Sequence, residues 1–275
     1  SWIITPLLSG IIAYFIFMSS QKLIFDTAEP LKNAKRFVPI YMGLAGFVMS
    51  LVTIKKGLKH IGIEMGAAEG YLLSIAIAVL VAIIGKVVIQ RLKYDPKADK
   101  EMQFNNVEKV FGVLMILTAA CMAFAHGSND VANAIGPLAA VVGIVENNGE
   151  IVSKTSLVWW ILPLGGIGIV IGLATLGKNV MKTIGEGITH LTPSRGFAAE
   201  LAAASTVVIA SGTGMPISTT QTLVGAVLGV GMARGIGALN LGVIRNIVVS
   251  WVVTLPIGAF LAIGIFFILR TAFGI

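Results

Sequence analysis

The chain has 275 residues, of which 56% are hydrophobic and only 12% charged, and it carries a formal net charge of +7. A soluble domain has about a quarter charged residues, so this composition, with a mean hydropathy of +0.91, excludes a water-facing globular fold and predicts an all-α integral membrane protein. The basic residues stand between apolar runs, the pattern of the positive-inside bias rather than of a nucleic-acid surface, and the single cysteine, Cys121, excludes an intrachain disulfide.

Taken in chain order, apolar runs of the length needed to cross a bilayer, roughly 20 residues each, are expected at Trp2–Met18, Phe37–Ile54, Tyr71–Leu92, Val107–Val145, Leu157–Leu176 and Leu241–Leu269. The charged stretch from Arg91 to Lys109 reads as a linker. It divides the chain into residues 1–90, read as the end of a first repeat plus connecting transmembrane helices, a cytoplasmic linker at 91–106, and a second repeat at 107–275. The fourth run is too long for one crossing and is interrupted by His126-Gly127-Ser128-Asn129-Asp130, which predicts a helix broken near mid-membrane. Phe197–Val230 is expected to be a re-entrant helical hairpin, two short apolar pieces around Ser211-Gly212-Thr213-Gly214-Met215-Pro216. With that hairpin returning the chain to the side it left, the cations sort by side. Lys22, Lys32, Lys35, Arg36, Arg91, Lys93, Lys97, Lys100, Lys109, Lys178, Lys182, Arg195 and Arg234 fall on one side, and Lys55, Lys56, Lys59, Lys154 and Arg270 on the other. The first set is the larger, so its side is cytoplasmic.

Ser1-Trp2-Ile3-Ile4-Thr5-Pro6 is echoed by Ser250-Trp251-Val252-Val253-Thr254-Leu255-Pro256, on helices of opposite predicted direction. An inverted repeat is a transporter signature. It leads to the expectation that most of an upstream copy stands outside this sequence, present as a separate segment, and that residues 1–275 alone do not transport.

Two polar motifs carry the chemistry. In Gly127-Ser128-Asn129-Asp130-Val131-Ala132-Asn133-Ala134, an aspartate inside a span costs about 2.5–3.5 kcal/mol or more unless it has a partner or a cavity. Carboxylate and carbonyl oxygens here suit a hard cation. Asn129 and Asn133 share a helix face and Asp130 points about 100° away. The alternative is a polar network between helices. In Ser211 to Gln221, glycines permit a tight turn, and Pro216 is expected in the first turn of the following half-helix. Ser218, Thr219 and Thr220 crowd the N-terminus of that half-helix. Backbone N–H groups, hydroxyls and the positive dipole end form an anion site able to hold a phosphate oxygen, and Gln221 offers an amide oxygen to a cation. An ordinary Ser/Thr helix cap is the alternative. Glu200 is expected to be paired, protonated or a cation ligand; a carboxylate snorkelling to the nearby interface is the alternative. Arg245 and Lys86 read as headgroup anchors, and the pairs Gly168/Gly172 and Gly225/Gly229 as packing surfaces. His126, Ser128 and Asp130 diverge within five residues and form no nucleophilic triad. No enzyme activity is expected.

Gly127 to Pro137 resembles the signature of the inorganic phosphate transporter (PiT) family. Ser211 to Gln221 is similar to its hairpin motif, and Ser194-Arg195-Gly196-Phe197 leading to Glu200 matches a further family pattern. The resemblance covers about Val107–Leu269, the second of two inverted repeats. It implies phosphate ligands at Asp130, Asn133, Ser218, Thr219 and Thr220, and sodium ligands at Asn129, Asp130, Glu200, Thr213 and Gln221. Sodium ions serve as coupling ions and no further cofactor is implied. Gln221 stands where the family often has His, which favours sodium over proton coupling. The implied function is sodium-coupled import of inorganic phosphate by alternating access in the cell membrane. A homodimer is one assembly it admits, and nucleic acid is not a partner. Competing readings are a proton-coupled phosphate or sulfate permease of the same fold, and an anion channel or membrane docking subunit.

Overall fold

A computed structural model describes residues 3–54, 66–92, 100–150, 158–213, 215 and 217–274; the side chains of Ser128, Asp130 and Ser211 lie outside that description. The structure is all-helical, with no strand among the described residues: α1 Ile4–Ser20, α2 Pro30–Val52, α3 Ala67–Arg91, α4 Lys100–Glu146, α5 Ile161–Gly172, α6 Lys178–Lys182, α7 Pro193–Gly212, α8 Thr219–Ala233 and α9 Leu241–Phe273. Short π-helical turns extend α1 to Phe25 and join α5 and α6 into one rod ending at Ile188. Among the described residues, five stretches are long and apolar enough to cross a membrane: Ile4–Phe25, Ala68–Arg91, Phe104–Gly127, Ile161–Ile188 and Leu241–Phe273. The protein is a multi-pass membrane protein.

Six expected spans and the hairpin appear as helices, with shifted bounds. The fifth runs on to Ile188 rather than Leu176, because Lys178 and Lys182 ride on the exposed face of a helix that continues past them. The linker does not end where expected: α4 already starts at Lys100, and residues 93–99 lie outside the described ones. One core joins Ala13, Phe17, Val38 and Met42 of residues 1–90 to Val107, Phe111, Leu114, Phe197 and Val227 of residues 107–275. Apolar helix faces in a single bilayer-sized bundle bury most area by packing across that divide.

The expected break in α4 is a break of polarity and not of backbone. The chain is helical without interruption through His126–Asp130, while the apolar stretches Phe104–Gly127 and Ile135–Glu146 flank the polar step. A helix satisfies each N–H and C=O within the segment, which is the cheapest arrangement in apolar surroundings. Even Pro137, which removes one such bond, sits inside it.

One end of the bundle is tied by aromatic stacking. Phe25 stacks on Phe111 at 5.5 Å and on Phe104 at 6.2 Å, Phe111 on Phe197 at 5.1 Å, and Tyr41 tilts against Phe197 at 5.4 Å. At the same end Arg234 Nη1 donates to Thr189 Oγ1 at 2.8 Å, and Asn240 N–H donates to the Ile188 carbonyl at 2.9 Å. Lys22, Lys109, Arg195 and Arg234 therefore share one end of the molecule. Helix α1 finishes at this end and α9 starts from it, so the two carriers of the Ser-Trp repeat run in opposite directions.

Helices α1 and α8 lie side by side in the same direction, through glycine. A Cβ on Gly10 would meet the Gly225 carbonyl oxygen at 2.9 Å, and Cβ atoms on Gly225 and Gly229 would collide with the backbones of Pro6 and Gly10. The Gly225/Gly229 pair is the packing surface that the sequence suggests. Gly168 and Gly172 are not: a Cβ added to either would meet nothing within 4 Å, because this part of their helix is exposed, although its start packs on α4 through Ile161 and Gly165. Helix α9 has no buried residue; Val243, Ile244, Ile247 and Trp251 pack against the core, while Leu255, Ile257, Phe260, Leu261 and the apolar residues beyond them are exposed, as lipid-facing residues are.

Candidate functional site

The hairpin is built by α7 and α8 around a turn at 213–218. Buried Ala198, Ala199, Ala202 and Ala203 let α7 seat closely among its neighbours. Helix α7 has 20 residues and starts at Pro193, four before the expected Phe197, so it is longer than a half-span. Helix α8, with 15 residues, is about 22 Å long and falls short of a bilayer core of ~30 Å.

Ser218 sets where α8 begins. Its Oγ accepts from the Gln221 N–H at 3.3 Å, an N-cap bond, and Thr222 N–H closes on the Ser218 carbonyl at 3.0 Å. The helix therefore starts at Thr219, and Pro216, which lies outside the described residues, precedes it instead of standing in its first turn. The bland and functional readings of Ser218 coexist. A hydroxyl that accepts from the backbone keeps its own proton for an anion. Thr213 is the converse: its Oγ1 donates to the Ala210 carbonyl at 2.9 Å and keeps lone pairs to offer a cation.

The two motifs meet. Asn129 Nδ2 donates to the Ile217 carbonyl at 3.4 Å, a long bond that places the α4 polar step against the start of α8. Thr219 and Gln221, in the first turn of α8, are buried, at 1% and 5% exposure. Gln221 Oε1 has no hydrogen-bond partner. An orphaned buried carbonyl oxygen is costly unless something electropositive completes it, which is what a cation ligand requires. Asn133, Thr213 and Thr220 are exposed around the same junction, so the arrangement is open on one side. Asp130 belongs to the same helical turn of α4 as Asn129, and its side chain lies outside the described residues.

Glu200 is not brought to this junction. It stands 13 residues before Thr213 on α7, about 20 Å along the helix. There Thr118 Oγ1 of α4 donates to its Oε2 at 2.6 Å, beside a small cavity lined by Met49, Thr118, Cys121, Ala125, Leu201 and Ala204 among others. The expectation that Glu200 is paired is met by a neutral hydroxyl. Sequence reading missed Thr118 and a second carboxylate, Glu108. Thr192 Oγ1 and Ser194 Oγ donate to Glu108 Oε1 at 2.9 and 2.6 Å, and Ser194 N–H donates to Oε2 at 2.8 Å. The only sequence signal was a carboxylate just inside an apolar run, masked by the charged stretch before it.

The chain matches the Phosphate transporter family over residues 1–262. It belongs to the phosphate transporter family. This is a family of transporters and not of enzymes. Among relatives, the chain is 60% identical over 273 residues to a Haemophilus influenzae protein named "Putative phosphate permease", covering 99% of this chain and 65% of that one. It is 42% identical over 269 residues to a protein of the same description from Pyrococcus abyssi, covering 98% and 64%. A solved structure described as the sodium-dependent phosphate transporter superposes with a TM-score of 0.81 at 41% identity, over 93% of this chain and 62% of that one. The chain thus spans a little under two thirds of the length of these relatives.

Proposed function

We propose that the protein to which this chain belongs imports inorganic phosphate across the cell membrane by symport with sodium. The observation that carries the reading is the junction of Asn129 with Ile217, which sets the Asn-Asp step of α4 against the start of α8, whose first turn carries Gln221 with its orphaned Oε1. Phosphate would take hydrogen bonds from the hydroxyls of Ser218, Thr219 and Thr220 and from the first-turn N–H groups, helped by the positive end of α8, with Asn133 at its exposed side. Sodium would take oxygens from Asn129, Asp130, Thr213 and Gln221. Each ion offsets the other's charge, so neither binds well alone. Glu200, one helix length away, would act at a separate position. The relatives' additional length leaves room for a matching set of motifs that closes the open side, and alternating access would follow from exchange between the two.

The family membership and the sodium-dependent structural neighbour support this reading. The test is radiolabelled phosphate uptake into proteoliposomes with and without an inward sodium gradient. Sodium-driven uptake that Asp130→Asn abolishes is the expected result. Uptake driven equally by a proton gradient without sodium, or by sulfate in place of phosphate, would overturn it.

A further inference from the structure

We propose that Glu108 is a positioning residue that holds the hairpin in register with α4 and thereby sets the affinity of the ion site; this rests on the phosphate–sodium reading above. Helices α4 and α7 run side by side in the same direction, and three polar rungs tie α4 to the hairpin, two of them to α7 and its cap and one to the segment just before α8. At one end Glu108 takes three hydrogen bonds from Thr192 and Ser194, between 2.6 and 2.9 Å. Midway, Thr118 bonds to Glu200 at 2.6 Å. At the far end a single bond of 3.4 Å from Asn129 reaches Ile217. The rung at the site is therefore the weakest and the rung at Glu108 the strongest.

Glu108 acts as a cap borrowed from another helix. The first turn of α7 contains Pro193, which has no N–H, and the Ser194 N–H is one of the donors that no intrahelical carbonyl can reach. A carboxylate supplies the acceptor, is favoured by the positive end of α7, and makes the bonds charge-assisted. It also fixes the helix laterally, because both hydroxyls converge on Oε1. Helix α7 is a rod of about 30 Å, so a tilt of about 2° at this end shifts the hairpin turn by about 1 Å. A shift of that size at a ligand shell is enough to degrade it.

A role confined to folding would change the amount of protein and the maximal rate; a positioning role changes half-saturation. The experiment measures sodium-driven phosphate uptake by the whole protein in proteoliposomes, for wild type, Glu108→Ala, Glu108→Gln and Thr192→Val, each normalised to folded protein. Glu108→Ala is expected to raise half-saturating phosphate roughly tenfold, the factor matching loss of one charge-assisted bond, and to raise half-saturating sodium with it. Glu108→Gln keeps one acceptor for the Ser194 N–H and is expected to lie between Glu108→Ala and wild type, as is Thr192→Val. The two milder variants decide the matter if Glu108→Ala does not fold. Unchanged half-saturation for phosphate and sodium in every folded variant, with losses only in protein amount or maximal rate, would overturn the positioning role. A wild-type protein without sodium-driven uptake would instead sink the functional reading.

Discussion

Gln221 is where a single residue separates stability from function. Its buried Oε1 has no partner, and such a group costs about 1–3 kcal/mol. Gln221→Leu, close in volume and without the orphan, is expected to raise thermal stability by about 1 kcal/mol in sodium-free buffer. The same variant is expected to raise the sodium concentration for half-maximal uptake. Unfolding scans with and without sodium check both. A destabilised Leu variant would mean that the amide is satisfied by other means. Ser218 makes the complementary case. Its cap bond to the Gln221 N–H is worth about 1 kcal/mol, so Ser218→Ala is expected to lose about that much stability whatever the ligand. It should also weaken phosphate binding, which Ser218→Gly, a tolerated cap, should weaken without the same stability loss. The residue types at these positions were legible from the sequence as an anion-and-cation set. A Ser/Thr cap was one of the sequence's two readings, but which of Ser218, Thr219 and Thr220 caps, and that Thr213 spends its proton on Ala210, was not legible, because hydroxyl partners depend on where the helix starts.

At the scale of elements, the α1–α8 contact is made through backbone. Gly229 has no room for any side chain against Gly10, whereas Gly168 on the exposed fifth span faces open space. Gly229→Val is expected to cost about 1–3 kcal/mol or more, as overpacking does, and Gly168→Val less than about 0.5 kcal/mol. Thermal unfolding of detergent-purified protein distinguishes them; equal effects would show that α1 and α8 are not held by this contact. The two glycine pairs look alike in sequence, since small-xxx-small spacing marks a face and does not say whether another helix lies there. Helix α4 teaches a related point. The sequence located its polar step correctly between Gly127 and Ile135, but polarity does not unwind a helix whose own hydrogen bonds are intact.

Across the whole molecule, the contacts of Phe25, Phe111, Thr189 and Arg234 gather Lys22, Lys109, Arg195 and Arg234 at one end, and the charge bias of the sequence predicts that this end is cytoplasmic. Single cysteines placed at Lys59 and Lys97 in a Cys121→Ala background are therefore expected to react with an impermeant reagent from opposite faces. Labelling of both from one face would reject the topology. The open side of the junction, with Asn133, Thr213 and Thr220 exposed, gives a second expectation. Proteoliposomes holding residues 1–275 alone should show no sodium-driven phosphate uptake, and those holding the whole protein should show it.

Composition, span lengths, charge asymmetry and the two polar motifs determined that this is an all-helical membrane protein with a hairpin, and which residue types could bind ions. These are properties of hydrophobic length and local chemistry, which the order of residues encodes directly. Only the tertiary structure decided which motifs touch. It joined Asn129 to Ile217, kept Glu200 with Thr118 about 20 Å along the helix from Thr213, and bound Glu108 to a hairpin more than eighty residues away in sequence. Those pairings follow from how rigid helices pack against one another, and rotation and offset between helices leave no mark at any one position of the chain.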